Sequence, residues 1–492
     1  MSQTTAAAPA APSGGMQRIP MTLDSYQHQS TQLSSRLLLN TFAEQQPPVA
    51  RSPIALLSSP GLVPIVMGGD GLGAGPVHAM NDTRSGVIYL ISGTHLYLTN
   101  VGVAPIQAWT SVDLGDVGTP VDPQGQPTFY TIAVGANGDT MVCSPPNIYL
   151  SRNFNQPVVP VTSPWQASSV AYLDGYFVFT RWDDPTQFFI TTLGDPTTID
   201  PLDFASLDSF PAGTYKVEAM GANLWFAGAD GWQIWYDAGS QDFPFRPVAN
   251  GVIKRPVGRT ASIAQGNKQL FWWSFDNRVY ATVGYQDQRI STHAIERVIM
   301  ESAATITQAY CYTQFGHIFY VMNLPDQTLV YDTVTQVWHN RSSGADGSGP
   351  WRPTCAAQTD GAPFMGDSAT PGRLLQAWVS PTVAGDLDFA VKRQIVLPPL
   401  YTGTYRAFCS RLEIEMEVGG ADTPGDILLE WSDDGGITYT GKRTMNAGTA
   451  TQTRKRVYTT RLGSFRNRVF RLTSQHAMSI YAIDAAITVG NS

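Results

Sequence analysis

The chain has 492 residues, 43% of them hydrophobic and only 14% charged, with a formal net charge of −8. That balance excludes a disordered chain and a protein that grips nucleic acid by neutralising many phosphates. The four cysteines form no close pair, so neither a disulfide scaffold nor a thiolate metal site is expected.

Residues 1–20 are rich in Ala, Pro, Ser and Gly and are expected to be flexible in the free subunit. They lack the basic start and leucine-rich centre of a signal peptide. No apolar run in the chain approaches the ~18 residues of a membrane helix. Residues 21–69 read as an extended lead-in, and Gly69 to Ala74 as a loop. The glycines of that loop partly mimic a dinucleotide fingerprint, but Pro76 and a strand follow where a helix would be needed.

Over 70–398 a β pattern recurs about every 40–50 residues, with openings near His78, Phe129, Ser168, Val217, Thr260, Thr307 and Thr354. Stretches 86–100, 169–181, 223–237, 268–282 and 317–332 each read as strand, tight turn, strand. One such unit cannot bury both faces, so the units must stack in a circle. The pattern predicts a degenerate β-propeller of six or seven blades, and separate sandwiches are the competing architecture. Residues 291–301 break the pattern. They lack Gly and Pro, place Ile295, Val298 and Ile299 at helical spacing, and offer Ser291 or Thr292 as a cap. One short inserted helix is predicted.

After Pro398-Pro399, residues 399–492 alternate apolar and polar in further strands, which predicts a C-terminal β-sandwich and an all-β fold overall. Ser432, Asp434, Gly436, Thr438 and Tyr439 fit the Asp-box hairpin of sialidases and related propellers, a structural turn in that family. Gly436 to Arg443 imitates a phosphate-binding loop, but Arg443 stands where Ser or Thr would bind Mg²⁺. Between Asp434 and Asp484 there is no acidic residue, while Lys442, Arg443, Arg454, Lys455, Arg456, Arg461, Arg466, Arg468 and Arg471 are basic. They form a candidate docking face for an acidic partner, with a plain solvated face or DNA contact as the other readings. The histidines show no metal spacing, and His293 with Glu296 reads as a surface pair. Asp183-Asp184 and Asp433-Asp434 sit in turn-like contexts. No catalytic residue, cofactor site or metal site is expected, so the chain reads as no enzyme.

Several stretches resemble the tail hub, or nozzle, proteins of short-tailed bacteriophages, the packaged-DNA stabilisation family. They run from 58–62 (SSPGL) through 170–181, 187–206, 243–262, 289–299 and 316–341 to 427–439. The resemblance implies a structural subunit of the virion tail, made in the host bacterial cytoplasm. It implies a ring of its own copies, a hexamer by family, below the portal-adaptor ring. The ring would continue the DNA channel, retain packaged DNA, and anchor a tail needle or plug and the spikes or fibres. Double-stranded DNA would pass through the lumen without specific binding. Two functions of other classes remain: a sialidase-like carbohydrate hydrolase of the tail, which needs a carboxylate pair in a concave pocket, and an adhesin for the host surface, which needs an exposed aromatic patch.

Overall fold

A strand hides every second side chain, so alternating sequence punctuated by glycine turns has one economical solution, the antiparallel meander. The computed structural model describes residues 15–47, 52–65, 67–69, 71–82, 86–100, 109–121, 129–302, 306–359, 362–378, 385–386, 389–417, 425–448, 454–477 and 479–489. Among them strands dominate, with one α-helix and one short 3-10 turn. Two compact units emerge: 62–336 with 350–377, and 1–61 with 337–349 and 378–492.

The first unit is a β-propeller. Its first blade is Val77–Asp82, Val87–Ser92, His95–Asn100 and Trp109–Asp116. The second is Thr131–Val134, Thr140–Ser144, Asn147–Ser151 and Val159–Pro160. The third is Ala167–Leu173, Tyr176–Arg181, Gln187–Ile190 and Phe204–Ser206. The fourth is Thr214–Met220, Asn223–Gly228, Trp232–Asp237 and Phe245–Ile253, and the fifth Ala264–Gly266, Gln269–Trp273, Val279–Val283 and Gln286–Arg289. A meander of Gln308–Gln314, His317–Asn323 and Thr328–Asp332 follows, and then a last sheet of Pro353–Thr359, Ala362–Asp367 and Leu374–Trp378. Six of these are separate sheets, and the meander stands between the fifth blade and the last, in keeping with the expected six or seven blades.

Opening strands line the centre and are tied to one another. Asn81 Nδ2 donates to the Ile132 carbonyl at 2.8 Å, the Val217 N–H to Ser169 Oγ at 2.9 Å, and Thr354 Oγ1 to the Val77 carbonyl at 2.9 Å. The last of these bonds joins the final blade to the first. The final sheet also takes its outer strand, Gly61–Pro64, from the other end of the propeller sequence, and the Ile65 N–H donates to the Leu374 carbonyl at 2.9 Å. Aromatic side chains fill the wedges between blades. Phe188, Phe226 and Trp235 pack between the third and fourth, and Trp225, Trp232 and Trp272 between the fourth and fifth. Each such burial contributes roughly 1.5–3 kcal/mol. The predicted helix is His293–Glu301; Thr292 Oγ1 accepts from the Ile295 N–H, and Ala294, Ile295 and Ile299 are buried while Val298 is half-buried.

The second unit is a sandwich of two sheets. One is ordered Thr41–Gln45, Ile54–Ser58, Ser479–Val489, Ala407–Glu417 and Arg454–Thr460. The other contains, in order, Val337–Arg341, Ser35–Leu39, Arg393–Val396, Asn467–Ser474, Gly425–Ser432 and Gly441–Gly448. Leu38, Leu56, Ile395, Ile414, Leu429, Phe470 and Ile483 share one core. The sandwich is therefore not confined to the C-terminal residues. The extended lead-in supplies Ser35–Leu39, Thr41–Gln45 and Ile54–Ser58 as paired strands. Of the segment expected to be flexible, residues 1–14 lie outside the described residues, whereas Met16–Arg18 pair with Asp484 to Ala486. Five-residue strands such as Ser35–Leu39 bury Leu38 completely only once distant strands enclose them.

Candidate interaction surfaces

The hairpin from Gly425–Ser432 to Gly441–Gly448 turns on Asp434. Its carboxylate accepts the N–H of Ile437 at 3.0 Å and of Thr438 at 2.9 Å, together with the hydroxyls of Ser432 and Thr438. Ser432 Oγ in turn accepts the Gly436 N–H at 2.8 Å. Gly435 and Gly436 have φ of +78° and +93°, and a Cβ on Gly436 would lie 2.7 Å from Ser35 Oγ. Both positive φ and contact exclude a larger residue there. Tyr439 is half-buried under the Arg471 guanidinium, 3.6 Å from its ring centroid. Every partner of Asp434 in this set belongs to the turn itself, so the motif shapes a hairpin.

The hydroxyls of Ser432 and Thr438, followed by the turn N–H groups, hold the Asp434 carboxyl down to about 2. A folded pKa below the unfolded one, ~3.9, contributes stability that is complete above the unfolded value and lost as pH falls through the folded one. Asp434→Asn is therefore expected to unfold more easily than wild type above about pH 4, with the difference shrinking toward pH 2. Denaturation midpoints of the sandwich across that range check this; a difference independent of pH would refute it.

The nine basic residues of 442–471 do not make one face, because neighbours in a strand point to opposite sides. Arg468 is buried, 1% exposed, and is unavailable to any partner. It forms a two-pronged pair with Asp433 at 2.6 and 2.7 Å and donates to the Leu462 carbonyl at 2.6 Å. The rings of Trp431 and Phe465 flank it. Arg471 pairs with Glu430 at 2.8 Å. The strand carrying Arg454, Lys455 and Arg456 lies beside Glu413, Glu415 and Glu417; Arg456 is 3.8 Å from Glu413, and Lys455 donates to Asn446 Oδ1 at 3.0 Å. Lys442, Arg443, Arg461 and Arg466 are exposed and make no ion pair among the described residues.

Three residues beside Arg466 escape a reading of basic clusters. Thr402 links the turn 401–406 to the Arg466 carbonyl at 3.0 Å, which sets Tyr401, Tyr405 and Arg406 at the same end of the sandwich. Tyr401 is 74% exposed and Tyr405 53%. The only signal in the sequence is an aromatic pair around Gly403 just after the double proline.

At the propeller centre, a cavity of about 250 Å³ is lined by Met80, Asn81, Gln265, Thr313, Ala357 and Gln358, among others. No carboxylate lines it. The Gln358 amide is already engaged, accepting the Thr313 N–H at 2.9 Å and donating to the Thr313 carbonyl at 3.1 Å. A glycoside hydrolase would need two carboxyls facing such a space.

Other chemistry-bearing residues have structural partners. Glu296 binds Arg289 at 2.6 Å and the Ser291 hydroxyl at 2.7 Å, with His293 at 3.7 Å, a surface ion network. Asp183 pairs with Arg181, and Asp184 accepts the Thr186 N–H. All four cysteines are free, and burial pushes Cys355 up to about 12 and Cys409 to about 11, far from a reactive thiolate. Among the described residues no group of three or more His, Cys, Asp or Glu is placed to hold a metal, and no helix is long and apolar enough to cross a membrane. Residues 441–448 are a strand, so the imitation of a phosphate-binding loop has no helix to complete it.

Residues 17–377 match the family model described as Phage_stabilise, "Bacteriophage P22 Gp10, beta-propeller". Residues 392–489 match P22_Gp10_C, "Bacteriophage P22 Gp10, beta-sandwich". Solved structures with a similar course include a chain of the Mitotic Checkpoint Complex, 10% identical over 68% of this chain and 97% of that chain, with a TM-score of 0.41. BamB from Moraxella catarrhalis is 11% identical over 69% of this chain and 97% of its own, with a TM-score of 0.38. The N-terminal domain of Nup159 is 8% identical over 69% and 98%, with a TM-score of 0.37. No curated protein matches the sequence.

Proposed function

The chain belongs to the family of bacteriophage P22 Gp10, a family of structural phage proteins, and on that premise we propose that it is the hub, or nozzle, subunit of a short-tailed phage. In this reading copies of the chain form a ring, six by family, below the portal-adaptor ring. The ring continues the DNA channel, holds the packaged genome, and carries the needle or plug and the spikes or fibres. The observation that carries the reading is the match of both domains, in order, over nearly the whole chain.

Physical features support it. A charge of −8 per copy multiplies around a ring and leaves no reason for phosphates to adhere. Low charge content, 14%, suits a surface covered by other proteins. The structural Asp-box and the carboxylate-free central cavity weigh against the hydrolase reading. Cryo-electron microscopy of the virion is the test. The expected result is this chain as a ring on the tail axis, with a lumen of neutral or negative potential. Finding it in the capsid shell, or absent from mature particles, would overturn the proposal.

A further inference from the structure

Leu202 is 82% exposed, Leu193 62% and Phe204 39%. All three belong to one part of the third blade, the connection 191–203 and the outer edge strand it leads into. Isolated exposed leucines are ordinary; these three fall within one twelve-residue stretch, 193–204. Leu193 packs over the neighbouring hairpin tip, where the Gly194 N–H donates to the Gly175 carbonyl at 3.0 Å and a Cβ on Gly175 would meet Leu193 Cδ1 at 2.7 Å. Phe204 leans on Trp165, ring to ring at 5.5 Å. Nothing in the described propeller covers their outer sides.

The same stretch carries the carboxylates Asp195, Asp200 and Asp203; after the hydrogen bonds from Thr197, the Arg152 guanidinium lies near enough to Asp195 to help lower its carboxyl. Asp195 and Asp200 fold the connection by accepting the N–H groups of Thr197 at 2.9 Å and Leu202 at 2.8 Å. Neither they nor Asp203 makes an ion pair among the described residues. Burial, then the charge of Asp200, raises the Asp203 carboxyl. The Tyr176 hydroxyl is raised by burial and then by the charges of Asp237, from the fourth blade, and Asp203. The stretch thus combines exposed apolar side chains with carboxylates, and Asp200 and Asp203 repel one another.

The sandwich carries the opposite combination. Tyr401 and Tyr405 are exposed beside Arg466, and Arg406 and Arg461 are exposed near them. Arg468 makes this end rigid, holding the turn at Leu462 and Ser464 to Asp433. Tyr and Arg on a rigid support are the residues that most often anchor interfaces. Lys442, Arg443, Arg461 and Arg466 are exposed cations that make no ion pair among the described residues.

We propose that the tyrosine–arginine end of the sandwich in one copy docks on the leucine–aspartate face of the third blade in the next copy. The inference rests on the ring reading above and names the two faces that make the ring. A closed ring needs two different, complementary surfaces on each subunit, and these two match in both charge and apolar content. A separate acidic protein bound to the sandwich end, or duplex DNA bound there, would leave the leucine face without its partner.

The test uses the full chain. Leu202→Cys with Tyr401→Cys, placed on a Cys311→Ser background and mildly oxidised, is expected to give a ladder of covalent multimers; the other native thiols do not compete, because Cys143, Cys355 and Cys409 are buried. In parallel, Asp200→Lys with Asp203→Lys, and separately Arg461→Glu with Arg466→Glu, are expected to weaken self-association at least ~10-fold at low salt and less at high salt, and the combined variant to restore most of it. Circular dichroism matching wild type keeps folding out of the comparison. A disulfide confined to monomers would show that the faces meet within one chain and would overturn the proposal. So would charge reversals that leave assembly intact, including the case in which Arg461→Glu with Arg466→Glu only lowers binding to duplex DNA. If the wild-type chain forms no ring even in the assembled virion, the ring reading itself falls, and this inference with it.

Discussion

Asp367→Ala is expected to destabilise the propeller by about 3–5 kcal/mol, the usual cost of breaking a buried ion pair from one side. The Asp367 side chain is fully buried, 0% exposed, and ends the second strand of the last blade. Its carboxylate accepts Arg352 Nε at 3.0 Å and Nη2 at 2.9 Å, Arg373 Nε at 2.6 Å, and the Ala369 N–H at 2.9 Å. Arg352 immediately precedes the first strand of that blade and Arg373 the third, so one anion fixes the ends of all three. Without it two guanidiniums are left facing each other around a cavity. Arg352 and Arg373 keep 17% and 26% exposure, and their partial escape to water argues for the lower half of the range. Asp367→Asn keeps the shape and an acceptor but loses the charge, and is expected to fall between alanine and wild type. Denaturant unfolding followed by tryptophan fluorescence reads this directly, since Trp225, Trp232 and Trp272 are buried in the same unit. A loss below about 1 kcal/mol for alanine would sink the argument.

The sandwich has a comparable point of failure at Arg468. Asp433→Ala is expected to cost about 2–4 kcal/mol, because it leaves a guanidinium buried among Trp431, Phe465 and Phe470 with half its hydrogen bonds gone. The Asp433 side chain is 43% exposed, so solvent screens part of the pair and the upper limit is not reached. Arg468→Met fills the apolar space without the charge and is expected to cost less than Asp433→Ala, although the Leu462 and Ser464 carbonyls lose their donor. The order of the two substitutions is the discriminating result. A surface docking role for Arg468 predicts the reverse: a normal midpoint for both and a loss of assembly for Arg468→Met alone. Arg466→Glu serves as the contrast, since Arg466 is exposed and its substitution is expected to leave the midpoint within about 0.5 kcal/mol of wild type.

These two sites divide what local sequence reveals from what it conceals. The propeller was legible because its signal is local: each hairpin alternates over a few residues and turns on Gly or Asp-Gly. The opening strands begin within a few residues of the predicted positions, as at Val77 for His78 and Pro353 for Thr354. The helix at 293–301 and the Asp434 turn were legible for the same reason, since Thr292 and Asp434 bond to groups within a few positions of themselves.

Pairing across hundreds of residues leaves no such trace. Nothing about Met16–Arg18 points to Asp484 to Ala486, and nothing about Gly61–Pro64 marks it as the outer strand of a blade that ends at Trp378. Within the basic run of 442–471 the sequence determined the charge, but only the tertiary structure decided its use. Arg468 and Arg466 are two residues apart in one chain segment, yet Arg468 meets Asp433 in the interior while Arg466 stays exposed beside Tyr401 and Tyr405. Local sequence determines strands and turns because their hydrogen bonds and side-chain alternation span a few residues. Which side chains become a buried pair and which an open surface depends on the enclosing strands, and those arrive from the far ends of the chain.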